Sequence, residues 1–407
     1  MNLLRMMIHK LIIPVFLTII FAGNTSAQNN IRFNHLTVED GLSQSAVTCI
    51  LQDRKGFMWF GTQDGLNRYD GYNFKIFKND PADSTTLSDN FIFSIYEDSL
   101  ANLYIETQSG KFHKYFPAKE TFSVVIKDSV NLSRANYNTV GAFFEEPSGV
   151  KWTGGLSKSI GLIREDVIGG ITEFKYNQAD PFSLSDDKVY SIFKDRRGNL
   201  WVGTGNGLDR FDEKTEKFFH FRNNPGDPNS ITDNWVWPIY EDAKGNLWIG
   251  TVRGGLCRYD YQTNSFFNYK NDPADPTSLN DNFIFSIYQD RSGVIWIGTN
   301  TGGLNYFHPS TQAFEHYISK PGNENSLSAN EILSLFADSQ GNYWIGTRGS
   351  GLDKFNYAKR KFLNYSSIPS GQNSLSTNSI QVIYQDESGI LWLGNFSGGL
   401  DAYNPLT

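Results

Sequence analysis

Cysteine is almost absent from this sequence, in which Cys49 and Cys257 are the two among 407 residues. They fall in different copies of a repeat, and at different places within it. A disulfide between them is therefore disfavoured, and two buried thiols are the better interpretation. The fold has to be held by packing and hydrogen bonds rather than by disulfide cross-links.

Charge is also scarce. Charged residues make up 19% of the chain and the formal net charge is -7. An acidic chain of this kind has no basic field to hold nucleic acid or an anionic membrane. Hydrophobic residues reach 39% and aromatic residues 15%, which is enough for a large core. The composition excludes a disordered chain and disfavours nucleic acid as a partner.

A long apolar run occurs once, at the N-terminus. Arg5 and Lys10 precede an apolar stretch at residues 11–22, and small residues end the segment at Ala27. The stretch is shorter than the roughly 18 residues that a membrane helix needs. Residues 1–27 are therefore predicted to be a signal peptide cleaved near Ala27, and no membrane segment is expected in the mature chain.

The abundant residues occur in strings that recur along the chain. The string DNFIFSIY occurs at residues 89–96 and again at 281–288. A second string, D-x-x-G-x-[LI]-W-[IV]-G-T, recurs about every 48 residues. Its aromatic residue falls at Trp59, Tyr104, Trp152, Trp201, Trp248, Trp296, Trp344 and Trp392. The chain therefore contains eight units.

Each unit predicts four short strands, a to d, with no apolar stripe of helical period. In strand a at residues 189–195, Val189, Ser191 and Phe193 alternate with Tyr190 and Ile192, which predicts two opposite faces. The D-x-x-G string predicts a tight turn into strand b, and a Gly-Leu pair opens strand c. Strand d is a short aromatic run. Four-stranded antiparallel sheets of this kind stack into an all-β propeller, with wide aromatic residues between the blades.

Asn and Asp are concentrated in the linker between strand d and the next strand a, as in SLNDN at residues 278–282. A cation site and turn hydrogen bonds are the two interpretations. We favour the turns, because the carboxylates recur in every unit and form no calcium-loop spacing. No cofactor and no metal are expected.

The first residues after the signal segment match a late part of the repeat. Residues 31–53 align with 313–338, so residues 31–37 are predicted to form an isolated strand d that latches the last blade. Counting units leaves two arrangements open. One is a seven-bladed ring over residues 28–361, with residues 362–407 as a leftover eighth unit that starts a second propeller. The other is a closed eight-bladed ring.

The segment LTVEDGLSQSAVTCILQDRKGFMWFGTQDGLNRYDGYNF at residues 36–74, with the later units, resembles the two-component regulator propeller repeats. These form the periplasmic sensor half of hybrid two-component systems that respond to glycans, and the resemblance covers essentially the whole chain after residue 27. It implies a periplasmic location and two tandem seven-bladed propellers, followed by a β-sandwich, a membrane helix, a histidine kinase and a response regulator. It favours the seven-bladed ring. The 407 residues contain no such later parts, which indicates a truncated product or a stand-alone propeller.

Candidate ligand residues lie at two positions of strand a that vary while their neighbours are uniform in type. The candidates are Phe91, Phe93, Lys188, Tyr190, Trp235, Trp237, Phe283 and Phe285, and later units hold Glu331, Leu333, Ser379 and Gln381 at the same positions. The tips between strands b and c add Gln63, Asn206, Arg253, Arg348 and Phe396. Strand a is innermost in a propeller, so these residues are predicted to surround the channel mouth. Aromatic planes suit an oligosaccharide and the two arginines suit an acidic one, while packing between blades is the plainer alternative.

Catalysis would need carboxylates, or a Tyr/His set, converging on one point. The histidines after residue 27 are His35, His220 and His316 on strand d and His113 and His308 on strand c, away from the inner strand. The favoured function is therefore a non-catalytic oligosaccharide sensor without a kinase part. A propeller-fold polysaccharide lyase or glycosidase and a protein-docking scaffold are the alternatives, and a homodimer is left open.

Overall fold

The structure is a computed structural model that describes residues 31–98, 100–124, 140–155, 161–290, 292–356, 367, 374–386, 388, 390–395 and 399–403. The predicted signal peptide, Phe396 and the predicted domain boundary at residue 361 lie outside the described residues. In the described part of the chain the architecture is all-β, as predicted, with a single 3-10 turn at Val38–Asp40. Among these residues, no helix has the length and apolar character to cross a membrane.

The strands form antiparallel sheets that follow the repeat, and we number the sheets in chain order. Strand β1 (Asn34–Leu36) precedes sheet one, which is β2 (Val47–Gln52), β3 (Met58–Thr62), β4 (Gly65–Tyr69) and β5 (Phe74–Phe77). Sheet two is β6 (Ile92–Glu97), β7 (Leu103–Thr107), β8 (Phe112–Phe116) and β9 (Thr121–Val124). Sheet three is β10 (Val140–Glu145), β11 (Lys151–Gly155), β12 (Leu162–Glu165) and β13 (Ile171–Phe174).

The later sheets repeat the same order. Sheet four is β14 (Val189–Lys194), β15 (Leu200–Thr204), β16 (Gly207–Asp212) and β17 (Lys217–Phe221). Sheet five is β18 (Val236–Glu241), β19 (Leu247–Thr251), β20 (Leu256–Asp260) and β21 (Ser265–Tyr269), and sheet six is β22 (Ile284–Gln289), β23 (Ile295–Thr299), β24 (Leu304–His308) and β25 (Ala313–Tyr317). Sheet seven is β26 (Ile332–Ala337), β27 (Asn342–Thr347) and β28 (Leu352–Asn356), and sheet eight is β29 (Ile380–Gln385), β30 (Leu391–Asn395) and β31 (Leu400–Tyr403).

The D-x-x-G turns form as the sequence predicts. In sheet four the Gly198 N–H donates to the carbonyl of Asp195 at 2.9 Å, which closes the turn between strands a and b. Gly198 has φ 85°, a left-handed conformation that favours glycine. The glycine that opens strand c is needed for space as well, because a Cβ on Gly207 would lie 2.8 Å from the carbonyl oxygen of Phe221.

A β-bulge near the start of strand a breaks the alternation predicted for this strand. In sheet four the register with strand b shifts between Val189 and Ser191, so Tyr190 has no partner there. The predicted sharing of one face by Val189 and Ser191 is wrong. A Cβ built on Gly154 of the preceding sheet would meet both Val189 and Ile192, which therefore face the same side. The extra residue is the cause, because a bulge inserts one residue into the strand, and the residues before it then lie on the opposite face from the one that regular alternation predicts.

The core lies between neighbouring sheets. The strand b tryptophans Trp59, Trp152, Trp201, Trp248, Trp296 and Trp344 are fully buried. Trp201 packs against Phe221 of its own sheet at 5.6 Å between ring centroids and against Tyr259 of sheet five at 5.0 Å. The predicted role of these wide rings, filling the gap between blades, is confirmed.

The N-terminal strand completes sheet seven, within the segment predicted as a latch. Strand β1 pairs antiparallel with β28, and His35 lies opposite Asp353. Sheet four has the same pairing inside a single unit, where His220 lies opposite Asp209. The segment 31–37 therefore takes the register of an ordinary strand d.

Sheet seven also contacts sheet one in the way that other neighbouring sheets contact each other. The Gly351 N–H donates to the carbonyl of Ser45 at 2.8 Å, as Gly303 donates to Asn330 at 3.1 Å between sheets six and seven. The phenyl ring of Phe60 lies 5.3 Å from the indole of Trp344. In sheet eight, by contrast, four apolar strand residues are more than 60% exposed: Val382, Ile383, Tyr384 and Leu400. These contacts support a ring closed by seven sheets, and the blade count stays a prediction.

Candidate functional site

One backbone hydrogen bond recurs at the same edge of six described sheets. It joins the residue just before strand a, as acceptor, to the residue just after strand b, as donor, at 2.9 to 3.3 Å. We call these two residues the rim pair of a sheet. The rim pairs are Ala46 with Gln63, Phe91 with Gln108, Lys188 with Gly205, Trp235 with Val252, Phe283 with Asn300, and Glu331 with Arg348. The sequence varies freely at these positions, although the backbone bond is constant.

The bulge residue is the second variable position of each unit. Thr48, Phe93, Tyr190, Phe285 and Leu333 lie at the register shift of their sheets, and Trp237 lies within the shift of sheet five. A bulged residue is not paired with the neighbouring strand, so the direction of its side chain differs from that of a regularly paired residue. First strands of consecutive sheets also contact each other, as β14 does β18 and β18 does β22. Rim pairs and bulge residues of adjacent sheets are thereby brought together.

The aromatic residues of sheets four, five and six form a continuous series. The Tyr190 ring centroid lies 5.5 Å from that of Trp235 and 5.7 Å from that of Trp237. Trp237 in turn lies 5.8 Å from Phe285, which stacks on Phe283 at 4.4 Å. All five rings are half-buried, so each presents part of its surface to solvent. We call them the aromatic platform.

Polar groups accompany the platform. Burial raises the pKa of the Tyr190 phenol, which therefore stays neutral and can donate a hydrogen bond. At the far end, the guanidinium carbon of Arg348 lies 5.3 Å from the Phe285 ring centroid. The Arg348 Nε lies 3.3 Å from Glu331 Oε2, and both side chains are close to half-exposed. The site can stack flat apolar surfaces and can offer both a cation and an acceptor.

Not every predicted site residue joins the platform. The structure brings together Tyr190, Trp235, Trp237, Phe283, Phe285 and Arg348. Lys188 belongs to the rim pair of sheet four and precedes Tyr190 by two residues. Phe91 and Phe93 lie on sheet two, where they stack on each other at 6.5 Å.

The remaining predicted residues lie at tips between strands b and c. Gln63 is exposed in the rim pair of sheet one. Arg253 is exposed one residue beyond the rim pair of sheet five, and its backbone N–H donates to Asp233 at 2.9 Å. Glu331, which contacts Arg348, was absent from the predicted ligand set. Its place at a variable position was the signal that could have included it.

The predicted placement of the histidines on the outer two strands is confirmed for His35, His113, His220, His308 and His316. His35 and His220 serve structural contacts there, since their Nδ1 atoms lie 2.7 and 2.6 Å from buried carboxylates of Asp353 and Asp209. Within the ranges that the structure describes, no group of three or more His, Cys, Asp or Glu side chains could hold a metal ion.

The linker side chains make the turn hydrogen bonds that the sequence favours. Asn234 Oδ1 accepts the N–H of Asn223 at 2.7 Å, and Asn282 Oδ1 accepts that of Asn271 at 2.8 Å. Asp180 accepts the N–H of Phe182 at 2.9 Å. These polar residues hold the linkers that support the rim pairs.

A family model described as "Two component regulator propeller" matches residues 41–64, 183–206, 230–253, 278–301, 326–349 and 374–397. Each match runs from the linker through strands a and b, and the first five contain the rim pairs of sheets one, four, five, six and seven. A histidine kinase of Formosa agariphila is 51% identical over 80 residues, which are 19% of this chain and 6% of that protein. This chain thus spans a small part of that relative.

The solved structures show the same fold. The extracellular domain of a protein titled a hybrid two component system, from B. thetaiotaomicron, is 25% identical with a TM-score of 0.67, over 92% of this chain and 54% of that chain. This chain therefore spans about half of that structure. A virginiamycin B lyase from Staphylococcus aureus is 14% identical with a TM-score of 0.56, over 80% of this chain and 98% of that chain. The likeness to the lyase is one of fold alone.

Proposed function

Because the chain carries two-component regulator propeller repeats, we propose that it is the ligand-sensing part of a two-component system, and that its ligand is an oligosaccharide. It is then a non-catalytic binding protein of the periplasm, exported by the signal peptide predicted at residues 1–27. The extracellular domain from B. thetaiotaomicron supports this location and role. A histidine kinase provides the output.

The aromatic platform is the observation that carries the proposal. Sugar rings have apolar faces that stack on aromatic side chains, and their hydroxyls need planar polar partners nearby. Half-buried rings on bulge and rim positions meet both needs, because packing holds each ring while part of its surface stays exposed to solvent. Ring packing alone does not explain why the large aromatics are confined to some units, since the same positions hold Ala46 and Thr48 in sheet one.

Calorimetry with the secreted chain and a panel of oligosaccharides tests the proposal. We expect saturable binding without turnover, and a loss of tenfold or more in affinity, about 1.4 kcal/mol, for Trp237→Ala. Phe267→Ala is the matched control, because Phe267 is a half-exposed ring on the outer strand of the same sheet. Its affinity should equal that of the parent protein.

Three other outcomes would contradict the proposal. Cleavage products released from a glycan would identify a polysaccharide lyase or glycosidase. Absence of both binding and cleavage across the panel would favour the protein-docking scaffold. Equal affinities for the Trp237 and Phe267 variants would place the sugar elsewhere on the molecule.

A further inference from the structure

Two cationic residues lie at rim positions of the sheets on either side of the aromatic platform. Lys188 lies at the sheet four end, and its ammonium has no ion-pair partner among the residues that the structure describes. Arg348 lies at the sheet seven end, over the Phe285 ring. Between them run the rings of Tyr190, Trp235, Trp237, Phe283 and Phe285. A chain of sugar rings stacked on the platform would therefore have a cation near each end.

The Arg348 side chain is positioned from two sides. Its own backbone N–H donates to the carbonyl of Glu331 at 3.1 Å, which fixes the two residues beside each other. Its guanidinium lies over Phe285, and its Nε faces the Glu331 carboxylate at 3.3 Å. An ion pair exposed to this degree adds little to the stability of a protein. A ligand carboxylate that took the place of Glu331 beside Arg348 would therefore change the stability of the fold very little.

The repeat does not require this ion pair. In the five other described rim pairs, the same two positions hold Ala46 with Gln63, Phe91 with Gln108, Lys188 with Gly205, Trp235 with Val252, and Phe283 with Asn300. None of these pairs an acid with a base, although the backbone bond between them is the same. The repeat therefore does not explain the ion pair between Glu331 and Arg348. This ion pair lies at the end of the aromatic platform.

We propose, on the basis of the oligosaccharide function above, that the ligand is an acidic oligosaccharide containing uronic acid residues. A sugar carboxylate takes the place of Glu331 on the Arg348 guanidinium, which can bind it through two N–H groups. A second acidic residue of the same ligand contacts Lys188. The Glu331 carboxylate thus occupies, in the free protein, the position of the ligand carboxylate.

Binding of oligogalacturonate, compared with neutral cello-oligosaccharide of the same length, tests this inference on the full secreted chain. We expect the uronate to bind at least tenfold more tightly, with an affinity that falls as salt rises. Arg348→Gln and Lys188→Gln should each lower the ratio of uronate affinity to neutral affinity by about tenfold. Glu331→Gln should strengthen uronate binding, because the competing carboxylate is removed.

Arg258→Gln is the matched control for net charge, because Arg258 lies over the outer ring of Phe267 at 4.6 Å, on strand c rather than at the rim. It should leave both affinities unchanged. Equal, salt-independent binding of uronate and neutral ligand would overturn the acidic inference and leave the oligosaccharide function standing. Binding of neither class, on a wider panel as well, would overturn both. The salt dependence of the unmodified protein gives the answer even if a variant fails to fold.

Discussion

Asp195 accepts the indole N–H of Trp201 through Oδ2 at 2.8 Å, and the same oxygen accepts the hydroxyl of Tyr261 from the next sheet at 2.8 Å. One carboxylate therefore joins a turn, a core ring and a neighbouring blade. The bond to the indole recurs at 2.8 to 3.0 Å between Asp53 and Trp59, Asp242 and Trp248, Asp290 and Trp296, Asp338 and Trp344, and Asp386 and Trp392. The Asp and the Trp that lie six residues apart in these units are therefore in direct contact.

Replacing Asp195 by Ala should lower the free energy of unfolding by about 3 kcal/mol, because the buried indole of Trp201 and the half-buried hydroxyl of Tyr261 both lose their acceptor. Burial by itself would raise the pKa of Asp195, but hydrogen bonds from Trp201 and Asn199 hold it below its ordinary value. The stabilisation is present above the ordinary pKa of an aspartate and is lost as pH falls through the lowered pKa. Urea unfolding at neutral and acidic pH measures both effects.

The control for this change is Asp386→Ala. Asp386 makes the same bond to Trp392, but its sheet is exposed and Trp392 is only half-buried. A smaller loss is therefore expected. Equal losses for the two variants would show that the contact to Tyr261 and the burial of Asp195 contribute nothing.

His35→Ala should weaken the closure of the ring. The His35 Nδ1 lies 2.7 Å from Asp353 Oδ1 and its Nε2 lies 2.8 Å from the carbonyl of Glu324, so both nitrogens face acceptors. The hydrogen bond to Asp353 raises the pKa of His35. Its stabilisation is full below the ordinary imidazole pKa and is lost as pH rises through the raised one. We expect the variant to lose about 1 to 3 kcal/mol at mildly acidic pH and less at alkaline pH.

Amide hydrogen exchange in strand β1 distinguishes closure from general stability. His220→Ala removes the equivalent contact to Asp209 inside sheet four, so it should have the same dependence on pH. Exchange at Asn34–Leu36 should accelerate in the His35 variant and stay unchanged in the His220 variant. An unchanged rate in both would mean that His35 does not hold the latch.

Glu106→Gln should remove a large dependence of stability on pH. Glu106 is 1% exposed and takes the place that glycine holds in other units, since it pairs with Ser94 as Gly203 pairs with Ser191. Its Oε2 accepts the Ser94 hydroxyl at 2.6 Å, while Oε1 has no hydrogen-bond partner among the described residues. Burial raises the pKa of Glu106 to about 8. The parent protein should therefore lose stability, on the order of 4 kcal/mol, as pH rises from the ordinary glutamate pKa to about 8.

Thermal unfolding of the two proteins across this pH interval measures the effect. The Gln variant should be the more stable one at alkaline pH, because it carries no buried charge there. Glu173→Gln is the control, since Glu173 is an exposed strand residue. Parallel pH profiles for the parent protein and the Glu106 variant would contradict the assignment.

Removing residues 362–407 should leave the ring intact if seven sheets close it. Sheet seven already contacts sheet one through Gly351 and Ser45, and the amide of Ser339 donates to Gln52 at 2.7 Å. We expect an unchanged unfolding midpoint in urea for the shortened chain. Removing residues 28–37 should lower that midpoint, because sheet seven then loses a strand. A shortened chain that unfolds early, with Trp344 exposed, would instead support the eight-bladed ring.

Much of the site could be predicted from the sequence, because its residues vary at positions of the repeat whose neighbours are uniform in type. Strand and turn positions recur every 48 residues or so, and a variable residue on that frame, such as Trp237 or Phe285, is detectable without coordinates. Which variable residues meet was not detectable. Arg348 and Phe285 are 63 positions apart and Glu331 is a rim partner, so their contact depends on how two sheets pack.

The sequence by itself determined the sheets and their turns, because those features depend on neighbours within a few residues. It also determined the latch segment, because residues 31–53 match a later part of the repeat. A glycine at a positive φ, a D-x-x-G turn and an aromatic strand are each specified locally. Tertiary structure alone decided the bulge that places Tyr190, the bond from Tyr261 to Asp195, and the series of rings across sheets four to six. These depend on register and on contacts between sheets, and neither leaves a local signal along the chain.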